Sequence, residues 1–405
     1  MIALRLVVAA AVVAGPCAAQ TVWSMGSPWT DLNTVIAAAM PGDIVLLNGM
    51  TFAPFNLNKG LTLVGPGTIQ PWIPFPFSYA TTLSIPPGER AHFAGIGFLA
   101  SGPPSPGVGT HIVHATGTVT FEDCIFEAGI PHSLSVAGTI LLHRCTCTPS
   151  PSSSSHPNTN GGVHVHGGVC WITDSTLNGA NAHYYVGFPD VIAGTPALLV
   201  SFGTVSVSNS TLRGGFGFAH SLASTMMPGL PAVDVQGGTV SITDCTLTGG
   251  TSPGGQPGPV ALAGAGGVAP YARTTLTGGV GSPPGAPSSG SVAQVPQLVG
   301  MSIAQPFRLG LTTQLIATAG TSQLLGMIAA FDPTPATHPA VLGPFLGAVP
   351  TIPLLVAAPL PVAQVVHTVS VPNQPQLLGF AVFAQAFQLE GAFVRVSAAV
   401  GGVVH

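Results

Sequence analysis

The sequence predicts an all-β protein: a solenoid of stacked short strands followed by a small β-sandwich-like domain. Three observations predict it. The 405 residues include 53 Gly and 40 Pro but only 5% charged side chains, where a usual soluble domain carries about 25%. A ten-residue unit recurs along the first two thirds of the chain. Within that unit apolar and polar residues alternate with period two, the pattern of a strand with one buried face.

The composition narrows the possibilities before any motif is read. With 46% apolar residues the chain is not charge-solvated disorder, and its Gly and Pro content disfavours a helical protein. The formal charge is −4 and Lys59 is the only lysine, so nothing gathers the cationic surface that nucleic acid requires. Anionic membranes are equally poor partners. The most apolar late stretch, Val341 to Val362, is broken by Pro344, Pro350, Pro353, Pro359 and Pro361, and no transmembrane segment is expected.

Residues 1–19 read as a secretory signal peptide: Arg5 precedes an apolar run from Leu6 to Ala14 and then small residues, with cleavage after Ala19. The expected location is therefore extracellular or at the cell surface. A short helical stretch from about Asp31 to Met40 follows, then Gly42-Asp43 and a β run, Ile44 to Leu47.

The repeat begins with GTVTFEDCIF from Gly117. It recurs as GTILLHRCTC from Gly138, GVCWITDSTL from Gly168, GTVSVSNSTL from Gly203 and GTVSITDCTL from Gly238, with a degenerate sixth copy, GVAPYARTTL, from Gly267. Its third and fifth positions are apolar, as in Val119 and Phe121, Ile140 and Leu142, Val205 and Val207. Asp123, Asp174, Asn209 and Asp244 then form a column suited to a turn, because Asp and Asn tolerate left-handed backbone. A unit this short cannot close its own core, so copies must stack at about 4.8 Å.

These residues resemble the right-handed parallel β-helix, or pectin-lyase-like, family over roughly residues 30 to 280. The resemblance implies a helix capping the N-terminal end of the stack. It admits polysaccharide lyases, glycoside hydrolases and esterases as well as proteins without catalysis, so fold does not decide function. The domain reading is 20–280 for the β-helix, 281–295 for a Gly/Pro/Ser linker and 296–405 for a C-terminal β-rich domain.

Stacking sets a register. Glu122 should lie against His143 and Asp123 against Arg144, two meetings of opposite charge. Cys124, Cys145 and Cys245 share one repeat position with Ser175 and Ser210, which suggests an interior ladder of small side chains. Buried thiols are expected there in preference to a Cys124–Cys145 disulfide.

Candidate site residues come from the outward positions and the insertions. His164 and His166 share a strand face, with Leu199 and Ser201, then Asp234 and Gln236, at the equivalent places in the next two copies. They suggest surface histidines more than a metal site, and neither metal nor cofactor is expected. The insertions follow one strand of each copy and bring Tyr184, Tyr185, Asp190, Phe216, Phe218 and His220 to one flank. Trp171 stands at an outward strand position, where it either meets a ligand or packs beneath the loop from about Thr148 to Gly161. Aromatic rings among hydroxyls suit saccharides. The weak catalytic candidates are Asp190, Asp234 and His164, and no facing carboxylate pair for hydrolysis assembles from the sequence. The expected function is a secreted or cell-surface monomer, non-catalytic, that binds an extended polysaccharide or acts in surface structure or adhesion, its partner a polysaccharide or another cell-surface component. The alternative is a lyase or glycoside hydrolase acting on the inserted-loop flank.

Overall fold

The computed structural model describes residues 21–25, 32–48, 55–65, 72–74, 82–99, 112–113, 116–126, 130–134, 138–148, 162–184, 191–192, 194–219, 226–296, 298–318, 324–331, 335–336, 339, 341–346, 351–356, 364–374, 377, 379–390 and 392–404. Among them the chain is all-β, with one helix, Leu32–Ala38, where the helical stretch was expected. The helix lays Leu32 and Ile36 into the core at the N-terminal end.

The repeats stack in parallel and in register. Thr118–Glu122 pairs with Thr139–His143, which pairs with Val163–Thr173, then Leu198–Ser208 and Thr239–Thr243, residue against equivalent residue. A second sheet stacks the short strands that follow each corner, from Trp72–Pro74 through Ile125–Phe126 and Thr176–Asn178 to Thr275–Thr277. One repeat therefore contributes one rung to each sheet. The alternating residues Val119, Ile140, Cys170, Val205 and Val240 are all buried in one continuous core. At its N-terminal half, rings stack from rung to rung, with Phe93 on Phe121 at 5.1 Å and Phe98 on Phe126 at 4.9 Å between centroids.

The corner explains the Asp/Asn column. Asp123, Arg144, Asp174, Asn209, Asp244 and Arg273 all adopt left-handed backbone, with φ between 46° and 55°. An L-residue there costs roughly 1–2 kcal/mol, least for Asp and Asn, and one residue later the chain turns its next side chain inward. That next position is the Cys/Ser ladder. Cys124, Cys145, Ser175, Ser210 and Cys245 are buried, and the five cysteines described are all free thiols. Burial pushes the Cys170 and Cys245 thiols up to about 12, so they stay protonated.

The expected charge pairing is corrected in one respect. Glu122 does lie beside His143 in register, but His143 is not its counter-ion. Arg144 donates to both carboxylates, at 2.7 Å to Glu122 and at 2.7 and 2.8 Å to Asp123. It also donates to His143 Nε2. Because guanidinium only donates, that nitrogen must accept, which leaves the ring proton on Nδ1, given to Thr173 Oγ1 at 2.8 Å. Burial, together with the neighbouring guanidinium, holds His143 down to about 3 and therefore neutral.

The stretch expected as a linker, 281–295, carries the strand Ser288–Gln294, parallel to Leu262–Ala272. The C-terminal region beyond it forms mainly antiparallel sheets, with one parallel pair between Val341–Leu342 and Phe393–Val396, and a core of its own that includes Met301, Leu315, Met327 and Ala386. This region docks along the outward side of the stack. Ser208 Oγ donates to Met301 O, Arg273 to Leu298 O and Thr318 Oγ1 to Asp244 Oδ2, while Arg90 donates to Phe331 O. Gly402 lies so close to the Glu122 carboxylate that a Cβ there would overlap it.

Candidate ligand-binding face

Each long strand, such as Val163–Thr173 or Leu198–Ser208, has two segments joined by a glycine bend at Gly167-Gly168 or Gly203. The segment after the bend presents its outward side to the C-terminal sheets. Thr120, Glu122, Thr139, Leu141, His143, Trp171, Thr173, Ser206 and Ser208 are all buried there. The segment before the bend, residues 163–166 and its equivalents, keeps its outward side open.

This arrangement overturns the expectation for Trp171. Its side chain is fully buried, packed with Leu141, Leu346, Phe383, Ala398 and Ala399. The C-terminal region covers it; the loop from about Thr148 to Gly161, the other expected cover, lies outside the described residues beyond Thr148. The indole Nε1 is buried and has no hydrogen-bond partner among the described residues, so the ring acts here by apolar packing.

Three of the expected residues do share the open side. His164 aligns with Leu199 and then Asp234, as the repeat spacing implied. His164 and Asp234 are two rungs apart, about 10 Å at the strand spacing. His166 does not align with Ser201. An irregularity in the pairing between Val165 and His166 sets it against Phe202. Ser201 instead meets His164 Nε2 at 2.9 Å. The Gln236 amide donates to Asp234 Oδ2 at 3.0 Å.

Phe202 is the residue the sequence reading missed. Its ring is 61% exposed, and the His166 ring meets it edge to face at 5.5 Å. His164 and His166 lie 5.9 Å apart, also edge to face. The signal available in the sequence was a large aromatic side chain immediately before the bend glycine, where the equivalent position of the following copy holds Gln236 or Gly237. The face thus combines an aromatic platform, imidazole edges, a hydroxyl and a carboxylate–carboxamide pair.

The inserted flank is less fully described. Tyr185, Asp190 and His220 lie outside the described residues. His183–Tyr184 pairs antiparallel with Val191–Ile192, and Phe218–Ala219 with Met226–Met227. Phe216 is half-buried beneath the Arg213 guanidinium, 4.7 Å from its ring centroid, a contact worth about 0.5–1 kcal/mol at an exposed site. One face of that ring is therefore occupied.

Among the described residues no group of three or more His, Cys, Asp or Glu side chains is placed to hold a metal ion. The corner carboxylates are engaged: Asp123 with Arg144, Asp244 with Arg273 and Thr318, and Asp174 with Asn209 and the Ile303 amide. Burial raises Asp174 to about 6. No helix among the described residues is long and apolar enough to cross a membrane. Compared with known protein families, curated proteins and solved structures, the chain matches none.

Proposed function

We propose that this chain is a secreted, right-handed parallel β-helix of the pectin-lyase-like kind, exported by the signal peptide at 1–19, that holds an extended polysaccharide without cleaving it. The observation that carries the reading is the exposed Phe202 ring on an open, rung-repeating face, with His166 at its edge and the Asp234–Gln236 pair one rung further along. A sugar ring stacks its C–H face on such a platform while neighbouring polar groups bond its hydroxyls. Rungs about 4.8 Å apart repeat the surface along a polymer. The parallel in-register sheets, the left-handed corners and the capping helix support the β-helix assignment.

Binding is favoured over cleavage by what the carboxylates do. Hydrolysis takes two of them facing each other about 5–10 Å apart, whereas Asp123, Asp174 and Asp244 are tied into corners, Glu122 to Arg144, Asp43 and Glu89 to backbone amides and Asp234 to a carboxamide. The test is retention of the mature protein on a panel of immobilised polysaccharides, with reducing ends and unsaturated products measured in parallel. Retention without cleavage, reduced about tenfold in affinity by Phe202→Ala (~1.4 kcal/mol), is the expected result. Cleavage of any retained polymer, or retention indifferent to Phe202→Ala, would overturn it.

A further inference from the structure

The charges of the open face are one-sided. Its rungs, and the insertions between them, all fall between Arg144 and Arg273, a stretch in which Arg213 is the only Lys or Arg. Arg213 belongs to the second sheet, in the strand Thr211–Arg213, with its guanidinium over the Phe216 ring. Arg144 and Arg273 are themselves held by Glu122 and Asp123 and by Asp244. These rungs thus bring no lysine or arginine of their own to the open face.

They do bring a carboxylate. Asp234 is partly buried in the strand Val233–Val235, and its in-register neighbours on the two sides are Leu199 and Ala263. Neither can offset its charge. The corner column is built the other way: there Asp123 meets Arg144 and Asp244 meets Arg273 on the next rung. The hydrogen bond from Gln236 engages one oxygen of Asp234, Oδ2. An ionised carboxylate has about four acceptor positions, so most of its capacity is left for donors from outside. The aromatic platform leans towards this rung, since Phe202 Cδ1 lies 3.5 Å from where a Cβ on Gly237 would stand.

We propose that the polymer held on this face is uncharged, and that Asp234 sets the preference by accepting from sugar hydroxyls while repelling uronate chains. The proposal rests on the polysaccharide reading above. A hydroxyl beside the sugar face stacked on Phe202 donates to the carboxylate in a charge-assisted bond, stronger than one between neutral groups. A uronate group only accepts and brings a second negative charge to a place with no guanidinium to take it up. The opposition is Coulombic, so salt weakens it.

The test is titration calorimetry of the full mature chain with glucan, mannan and galactan, each as the uncharged polymer and after oxidation of its primary hydroxyls to uronates. Runs are made near pH 8, above the range in which histidine ordinarily carries charge. They are repeated at about 0.01 M and about 1 M salt, where charges are felt over about 30 Å and about 3 Å. At low salt wild type should bind an uncharged polymer at least about tenfold more tightly than its oxidised form, because like charges meet, and high salt should narrow the gap. Asp234→Asn, which keeps an acceptor without the charge, should shrink the low-salt gap to about threefold or less. Its unfolding temperature is measured alongside, and the salt series on wild type does not depend on the variant. An oxidised polymer bound as tightly as its parent would overturn the proposal and leave the polysaccharide reading standing. So would a gap that survives both high salt and Asp234→Asn, which would make the exclusion one of shape. Failure of every polymer in both forms would instead overturn the polysaccharide reading, and this proposal with it.

Discussion

Trp171 and Phe202 both point outward from neighbouring strands of one sheet, yet the first is fully buried and the second is 61% exposed. The difference lies in what has docked on each segment. Past the glycine bend the outward surface is mostly Thr and Ser, small enough to admit the C-terminal sheets closely, and its charges are matched internally. Before the bend it carries His164, His166, Asp234 and Gln236, a surface that stays solvated. An aromatic residue on a repeat scaffold thus acquires its role from the neighbours on its outward side.

The comparison breaks most sharply at the buried charge. Arg144→Met should destabilise the protein by about 3–5 kcal/mol, because it leaves the Glu122 carboxylate in the covered face without its guanidinium. A loss near zero in urea unfolding would mean the covered face is not dry. Trp171→Ala should cost a comparable ~3–5 kcal/mol while leaving polysaccharide retention unchanged. Should retention fall as well, the two faces are not separable. At the corner, Asn209→Val should cost about 1–2 kcal/mol, because a β-branched residue resists the left-handed backbone, whereas Asn209→Gly should be far milder.

A smaller net effect comes with pH, because two groups under the docked region oppose each other. The unfolded chain protonates His143 below about pH 6.5 while the folded ring stays neutral to about 3, so this group removes stability as pH falls through that window. Asp174, raised to about 6 from 3.8, binds its proton first in the folded state and adds stability as pH falls from about 6 towards 4. In His143→Gln only the second contribution remains, and its stability should rise over that interval relative to wild type. Superimposable pH profiles would remove His143 from the account. The smallest change in stability is expected for Phe202→Ala, within about 0.5 kcal/mol, even as retention drops.

Much of the architecture was legible because the repeat encodes it locally. Apolar alternation specified the inward side chains, and the Asp/Asn column marked a backbone conformation few residues accept, so the register of Glu122 with His143 and of His164 with Leu199 and Asp234 could be read from spacing alone. The fate of the outward side chains could not. Nothing in GVCWITDSTL says that residues two hundred positions later will cover its tryptophan. The pairing irregularity at His166 was equally invisible, because a one-residue shift at a glycine bend leaves the repeat's length intact. Arg144 also escaped: assigned to Asp123 alone, it serves Glu122 too and thereby forces His143 neutral.

The docked region touches the stack at Arg90, Glu122, Trp171, Ser208, Asp244 and Arg273, one rung after another. It therefore works as a ruler laid along a ladder. Tandem-repeat genes readily gain or lose a copy, but here an added or deleted rung between Arg90 and Arg273 would put every later contact out of step with its mark. The second half is thus matched to the number of rungs now present in that interval.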